Sequence, residues 1–139
     1  MGIELDHLGI AVRTLDEGLR FYQQTLGMTV TLTETVDVEH VSVAILPAGS
    51  APGSPRIELL EAAGADSTIA KFIEKRGPGL HHIALRVDDL ASALSRLRQA
   101  GGRILNEPRR GAGGHLYSFV HPASAGGVLV ELIQNEETA

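Results

Sequence analysis

The chain repeats itself, and that limits what it can fold into. Residues 5–12 read LDHLGIAV and residues 80–87 read LHHIALRV. Laid over each other, they put His7 on His82, Ile10 on Leu85 and Val12 on Val87. At the same spacing Thr14 meets Asp89, Leu15 meets Leu90, Leu19 meets Leu94 and Gly27 meets Gly102. Each half therefore reads as a strand, a helix N-cap, an amphipathic helix and a terminating glycine. TLDE at 14–17 is a capping-box pattern, with Thr14 as the cap and Glu17 three residues on.

Strand-length apolar stretches follow each helix. They are MTVTLTETV, HVSVAILPA and RIELLEA in the first half, and GRILNEP, LYSFVHP and GVLVELIQ in the second. Between the halves, DSTIAKFIEKRGPG reads as a short helix with Ile69, Phe72 and Ile73 on one face. The pattern predicts an α+β protein built from two tandem βαβββ modules. If the sheets of the two halves curve toward each other, they form a curved mixed β-sheet with helices on its outer face. At 139 residues the halves are too small for unrelated cores, so one domain is expected over 1–139. Within it the first module covers about 3–63, a linker helix about 66–77 and the second module about 80–135.

RIELL at 56–60 aligns with LVELI at 129–133, so Glu58 falls on Glu131, at a slightly shorter spacing that loops of unequal length explain. Strand side chains alternate faces. Leu8, Ile10 and Val12 share the apolar face, and His7, Gly9 and Ala11 the other. Ile83, Leu85 and Val87 share one face, and His82, Ala84 and Arg86 the other. Glu58 and Glu131 are likewise out of phase with their apolar neighbours. Two histidines and two glutamates thus recur on one face, with small residues beside them that leave room for a cleft. Burying unpaired carboxylates there is costly, and a divalent cation removes the cost. Two imidazoles and two carboxylates suit Co, Ni, Zn, Mn or Fe. Such a centre leaves openings for two substrate oxygens and stabilises an enolate next to a carbonyl. Glu131 is the candidate base, as ligand, as base or by moving between the two roles.

Other histidines fit the pattern less well. His81 aligns with Asp6, His121 is placed to bind substrate or cap a turn, and His40 and His115 are expected at the surface. Arg86, on the cleft face, is suited to a glutamate or an anionic substrate. GAGG at 111–114, after Arg109 and Arg110, reads as a substrate loop or a solvated turn.

Composition excludes several classes. There is no cysteine, so thiolate chemistry, disulfides and Cys-held zinc are out. A formal charge of −5 and 4% aromatic residues argue against nucleic acid. No apolar run approaches the roughly 20 residues that cross a bilayer. The opening residues show no signal or transit peptide, so the expectation is a cytoplasmic protein with no membrane partner.

These residues resemble the vicinal oxygen chelate (glyoxalase/bleomycin-resistance) superfamily, whose members pair βαβββ modules around a divalent metal. DHLGIAV resembles its opening strand. Within it, DSTIAKFIEKRGPGLHHIALRVDDL and NEPRRGAGGHLYSFVHPASAGGVLVEL resemble the signatures of the methylmalonyl-CoA epimerase family. The resemblance implies a homodimer acting on an acyl-CoA. It implies 2R/2S epimerisation of methylmalonyl-CoA by C2 proton abstraction through a metal-stabilised enolate. It carries over His7, Glu58, His82 and Glu131 as metal ligands, with Glu131 also as acid/base and the metal one of Co, Mn, Ni or Zn. Some relatives hold Gln at the Glu58 position. Some also carry a second glutamate in the strand that here reads HVSVAIL, where Val43 stands. That base is left unassigned, with Glu39, His40 and water as substitutes. Two alternatives share the fold: a glyoxalase-type lyase or isomerase, and a metal-free small-molecule-binding protein of the resistance type.

Overall fold

Both helix starts behave as their sequences require in a computed structural model that describes residues 2–111 and 114–135. The Thr14 hydroxyl accepts from the Glu17 N–H at 3.1 Å. Asp89 accepts from the Ser92 N–H at 3.4 Å. Hydrogen bonds from Ser92, its hydroxyl first and then its N–H, hold the Asp89 carboxyl below its ordinary pKa. A second helix donor in each half is met from far along the chain. Leu15 N–H donates to Glu61 Oε1 at 2.6 Å, and Leu90 N–H to Gln134 Oε1 at 3.0 Å. The first N–H groups of a helix lack intrahelical partners, and the repeat supplies the same solution twice.

The elements run β1 (Glu4–Ala11), α1 (Leu15–Leu19) continuing into a π-helical turn (Arg20–Thr25), β2 (Leu32–Val36), β3 (Val41–Pro47), β4 (Arg56–Ala62), α2 (Thr68–Arg76), β5 (Gly79–Val87), α3 (Leu90–Gln99), β6 (Arg109–Arg110), β7 (Leu116–Val120) and β8 (Val130–Gln134). The fold is α+β, two βαβββ modules in tandem. Its contacts divide into two compact units, His7–His81 and a second formed by Met1–Asp6 with His82–Ala139. In the first unit the strand order is β2-β3-β4-β1, with β1 and β4 parallel and the other pairs antiparallel. In the second it is β5-β8-β7-β6, with β5 and β8 parallel and the rest antiparallel.

The first unit covers its sheet on both faces. Val12, Ala44, Leu46 and Leu59 are buried beneath α1 with Ile10, Leu19 and Tyr22 packed against them. Ala11, Val41, Val43 and Leu60 are buried with Ile69 of α2. In the second unit Val87, Leu90 and Leu94 form the buried cluster, with Leu97, Ile104, Leu116 and Leu132 around it. Burial of each such leucine or valine is worth about 1.5–3 kcal/mol.

Three details differ from the sequence reading. The π turn in the first half holds one residue more than an α-helical path does. The left-handed glycine that ends the second helix is therefore Gly101 (φ 82°), the counterpart of Gly27 (φ 81°), and not Gly102. MTVTLTETV becomes a strand only from Leu32, because Met28 and Val30 pack into the core under α1. GRILNEP forms a single bridge at Ile104. There the Asn106 side chain takes the Phe119 N–H at 2.9 Å in place of a backbone partner. Among the described residues no helix is long and apolar enough to cross a membrane.

Candidate metal centre

Register builds each half of the candidate centre in the same way. In the first unit Glu58 of β4 is registered with Gly9 of β1. His7 lies two residues before Gly9 and so on the same face. The two side chains meet diagonally, His7 Nδ1 to Glu58 Oε2 at 3.3 Å, and both are largely shielded from solvent. In the second unit Glu131 of β8 is registered with Ala84 of β5. His82, two residues before Ala84, meets it in turn, Nε2 to Oε1 at 3.5 Å. Gly9 and Ala84, the small residues opposite the two carboxylates, leave the diagonal open.

These pairs have the chemistry and spacing of metal donors. Nitrogen and carboxylate ligands sit about 2.0–2.2 Å from zinc, so neighbouring donors of one cation lie on the order of 3 Å apart. Each His–Glu pair already stands at that separation with its oxygen and nitrogen facing. The carboxylates are half-buried and the imidazoles buried, a setting in which an unpaired carboxylate is costly.

The surroundings of the two pairs are not alike. Arg56 Nη2 donates to Glu58 Oε2 at 3.2 Å. The second pair is walled by Phe119, which is registered with Glu131 and meets the His82 ring edge-on at 5.9 Å. Tyr117 packs edge-on against Phe119 in turn.

The remaining sequence candidates take other parts. Arg86 forms ion pairs with Glu4 and Asp6, each at 3.5 Å, with Asp6 buried. His121 caps the turn at Pro122–Ser124, its Nδ1 accepting from Ala123 N–H at 3.0 Å. His81 meets Phe72 edge-on at 5.1 Å, and burial holds its pKa below the ordinary imidazole value. His115 is exposed. Of the GAGG stretch, Ala112 and Gly113 lie outside the described residues. Gly114 accepts through its carbonyl from Arg110 Nη1 at 2.6 Å. Val43 is buried in the cluster beneath α2 and registered with Leu60. Glu39 is exposed on the turn before β3, and His40 follows it in left-handed backbone with Nε2 3.9 Å from Asp66.

Two features escaped the sequence reading. Arg56 stands two residues before Glu58 on one strand, and that alternation could have flagged it. Glu61 and Gln134 lie three residues beyond the two glutamates, and their recurrence was the available signal for the helix caps.

Comparison with known proteins shows what the chain is similar to. A family model described as the Glyoxalase/Bleomycin resistance protein/Dioxygenase superfamily matches residues 6–119. The ethylmalonyl-CoA/methylmalonyl-CoA epimerase of Cereibacter sphaeroides is 39% identical over 133 residues, covering 94% of this chain and 96% of that protein. A variant of the Streptomyces coelicolor methylmalonyl-CoA epimerase, solved with 2-nitronate-propionyl-CoA, superposes with a TM-score of 0.85. It is 37% identical, covering 95% of this chain and 96% of the other. A methylmalonyl-CoA epimerase solved with methylmalonyl-CoA and NH4+ also gives a TM-score of 0.85 at 36% identity, covering 96% of this chain and 95% of that one.

Proposed function

The chain belongs to the Glyoxalase/Bleomycin resistance protein/Dioxygenase superfamily, and on that premise we propose that it interconverts the 2R and 2S epimers of methylmalonyl-CoA. In this reading His7, Glu58, His82 and Glu131 hold one divalent cation. The observation that carries it is the doubled His–Glu diagonal, 3.3 Å in one unit and 3.5 Å in the other, on matching registers. The epimerases to which the chain is similar over nearly its whole length support the substrate.

The cation, one of Co, Mn, Ni or Zn, supplies Lewis-acid stabilisation for negative charge on a carbonyl oxygen. Glu131 removes the C2 proton, since a carboxylate has lone pairs on both oxygens and can hold a cation with one and take a proton with the other. His82 Nε2 stands 3.5 Å from Glu131 Oε1 as its neighbouring donor, and Phe119 and Tyr117 exclude water from that side. A dry wall strengthens every charge interaction within it. Val43 has no proton to give. Proton delivery to the opposite face therefore falls to water or to Glu39 or His40.

The test is deuterium uptake at C2 of methylmalonyl-CoA, followed by NMR. Wild-type protein loaded with Co2+ is expected to exchange the proton, to stop after chelation and to recover on readdition of Co2+ or Mn2+. Turnover of a glutathione hemithioacetal with no C2 exchange overturns the assignment in favour of a lyase. Stability and ligand binding indifferent to chelation overturn it in favour of a metal-free binder.

A further inference from the structure

Arg56 is registered with His7 across β1 and β4, and Glu58 with Gly9. Residues 56 and 58 therefore share one face of the sheet with His7. One oxygen, Glu58 Oε2, lies 3.2 Å from Arg56 Nη2 and 3.3 Å from His7 Nδ1. The repeat puts Leu129 at the corresponding place beside Glu131. The guanidinium is thus a feature of one half only, built into the strand of one of two otherwise equivalent glutamates.

Two consequences follow. A carboxylate oxygen that already accepts from a guanidinium donates less strongly to a metal, so the guanidinium weakens the grip of Glu58 Oε2 without removing it from the donor set. Two carboxylates and two neutral imidazoles would fully cancel the charge of a divalent cation. A guanidinium next to one of them restores a positive charge to the site and keeps the field acting on substrate oxygen.

Resting on the metal reading above, we infer that Arg56 is a positioning residue for Glu58: it holds Oε2 of that glutamate beside His7, moderates its grip on the cation and offsets the second carboxylate of the ligand set. Removing it lets Glu58 grip the cation more tightly while weakening the cation's pull on substrate.

The experiment is Co2+ titration, followed by calorimetry and by the visible cobalt spectrum, alongside steady-state kinetics. The proteins are wild type, Arg56→Met, Arg56→Lys, Glu58→Gln and the Arg56→Met/Glu58→Gln double variant. Arg56→Met is expected to bind Co2+ about tenfold tighter with an altered cobalt spectrum, and to lose about tenfold in kcat with a smaller change in KM. Arg56→Lys restores the charge and is expected to recover most of both. In the Glu58→Gln background the same arginine substitution is expected to tighten Co2+ binding by clearly less than tenfold, since only the through-space charge effect remains. Unchanged or weakened Co2+ binding by Arg56→Met overturns the inference, as does an equal shift in the Glu58→Gln background. Wild-type protein that binds no Co2+ at micromolar concentration overturns the metal reading itself, an outcome separate from the other two.

Discussion

The first half-site sets a guanidinium against its glutamate; the second sets an aromatic ring against its histidine. Backbone register is the same in both, Gly9 opposite Glu58 and Ala84 opposite Glu131. The difference lies in the next row of side chains: Arg56 where the other half has Leu129, and Phe119 where the other half has Ile45. A charged partner fixes a carboxylate in one role. An aromatic wall limits the water that reaches the pair beside it. The duplicated frame supplies two copies of one His–Glu pair, and under the proposed function the local substitutions give Glu58 a holding role and Glu131 a reacting one.

The sharpest way to break this division is to neutralise each glutamate in turn. Glu131→Gln is expected to lose 10²–10⁴-fold in C2 exchange, the range for removal of a positioned general base. Glu58→Gln is expected to lose about tenfold or less, because an amide oxygen can still serve as a ligand. Exchange rates measured by NMR at saturating Co2+ check both. Equal losses would make the two carboxylates interchangeable and remove the assigned asymmetry.

Helix packing gives a second contrast. A Cβ on Gly18 of α1 would stand 2.8 Å from Leu59 Cδ1 and 3.0 Å from Val12 Cγ1. The equivalent residue of α3, Ala93, borders an apolar groove of about 410 Å³ lined also by Ile3, Leu85, Val130 and Leu132. One helix is seated as closely as a glycine allows, and the other leaves space. Overpacking a full core costs about 1–3 kcal/mol, and alanine regains about 1 kcal/mol of helix propensity over glycine. Gly18→Ala is therefore expected to destabilise by about 1 kcal/mol net, and Ala93→Met to be neutral or stabilising. Urea unfolding with an unchanged slope measures both. A costly Ala93→Met would show the groove to be no real gap.

What the sequence disclosed and withheld follows from the same contrast. Period-two alternation and the repeat made the His7–Glu58 and His82–Glu131 pairs legible, because side chains that face one side of regular strands leave a periodic trace. Both helix caps were equally plain, since Thr14 and Asp89 act on residues three positions away. The π turn left no trace, because one added residue inside an amphipathic helix shifts the spacing without changing the residue types. GRILNEP misled because its apolar residues suit a strand, whereas Asn106 supplies by side chain the hydrogen bond that a strand makes by backbone. Arg56 was overlooked because the repeat drew attention to what recurs, and Arg56 does not recur.

The smallest expected effect tests how faithfully the two cores copy each other. Ala44 of β3 is registered with Leu59, and Ser118 of β7 with Leu132, the matching leucine. Both are fully buried. Ser118 therefore carries a hydroxyl into a slot that its counterpart fills with a methyl group, and its Oγ finds no hydrogen-bond partner among the described residues. A buried hydroxyl left unsatisfied costs about 1–3 kcal/mol, and replacing it with an apolar group of similar shape recovers much of that. Ser118→Ala is expected to stabilise the protein by about 1 kcal/mol. The reciprocal Ala44→Ser is expected to destabilise it by a similar amount, because the same slot in the other unit is lined by Val12, Leu46 and Leu59. Denaturation of the two single variants and the double variant decides the matter. The two residues belong to different units and are registered with different leucines, Leu59 and Leu132, so independent effects are expected to add and the double variant should return close to wild type. A destabilised Ser118→Ala would mean that the hydroxyl has a partner and that the two cores are not equivalent at this position.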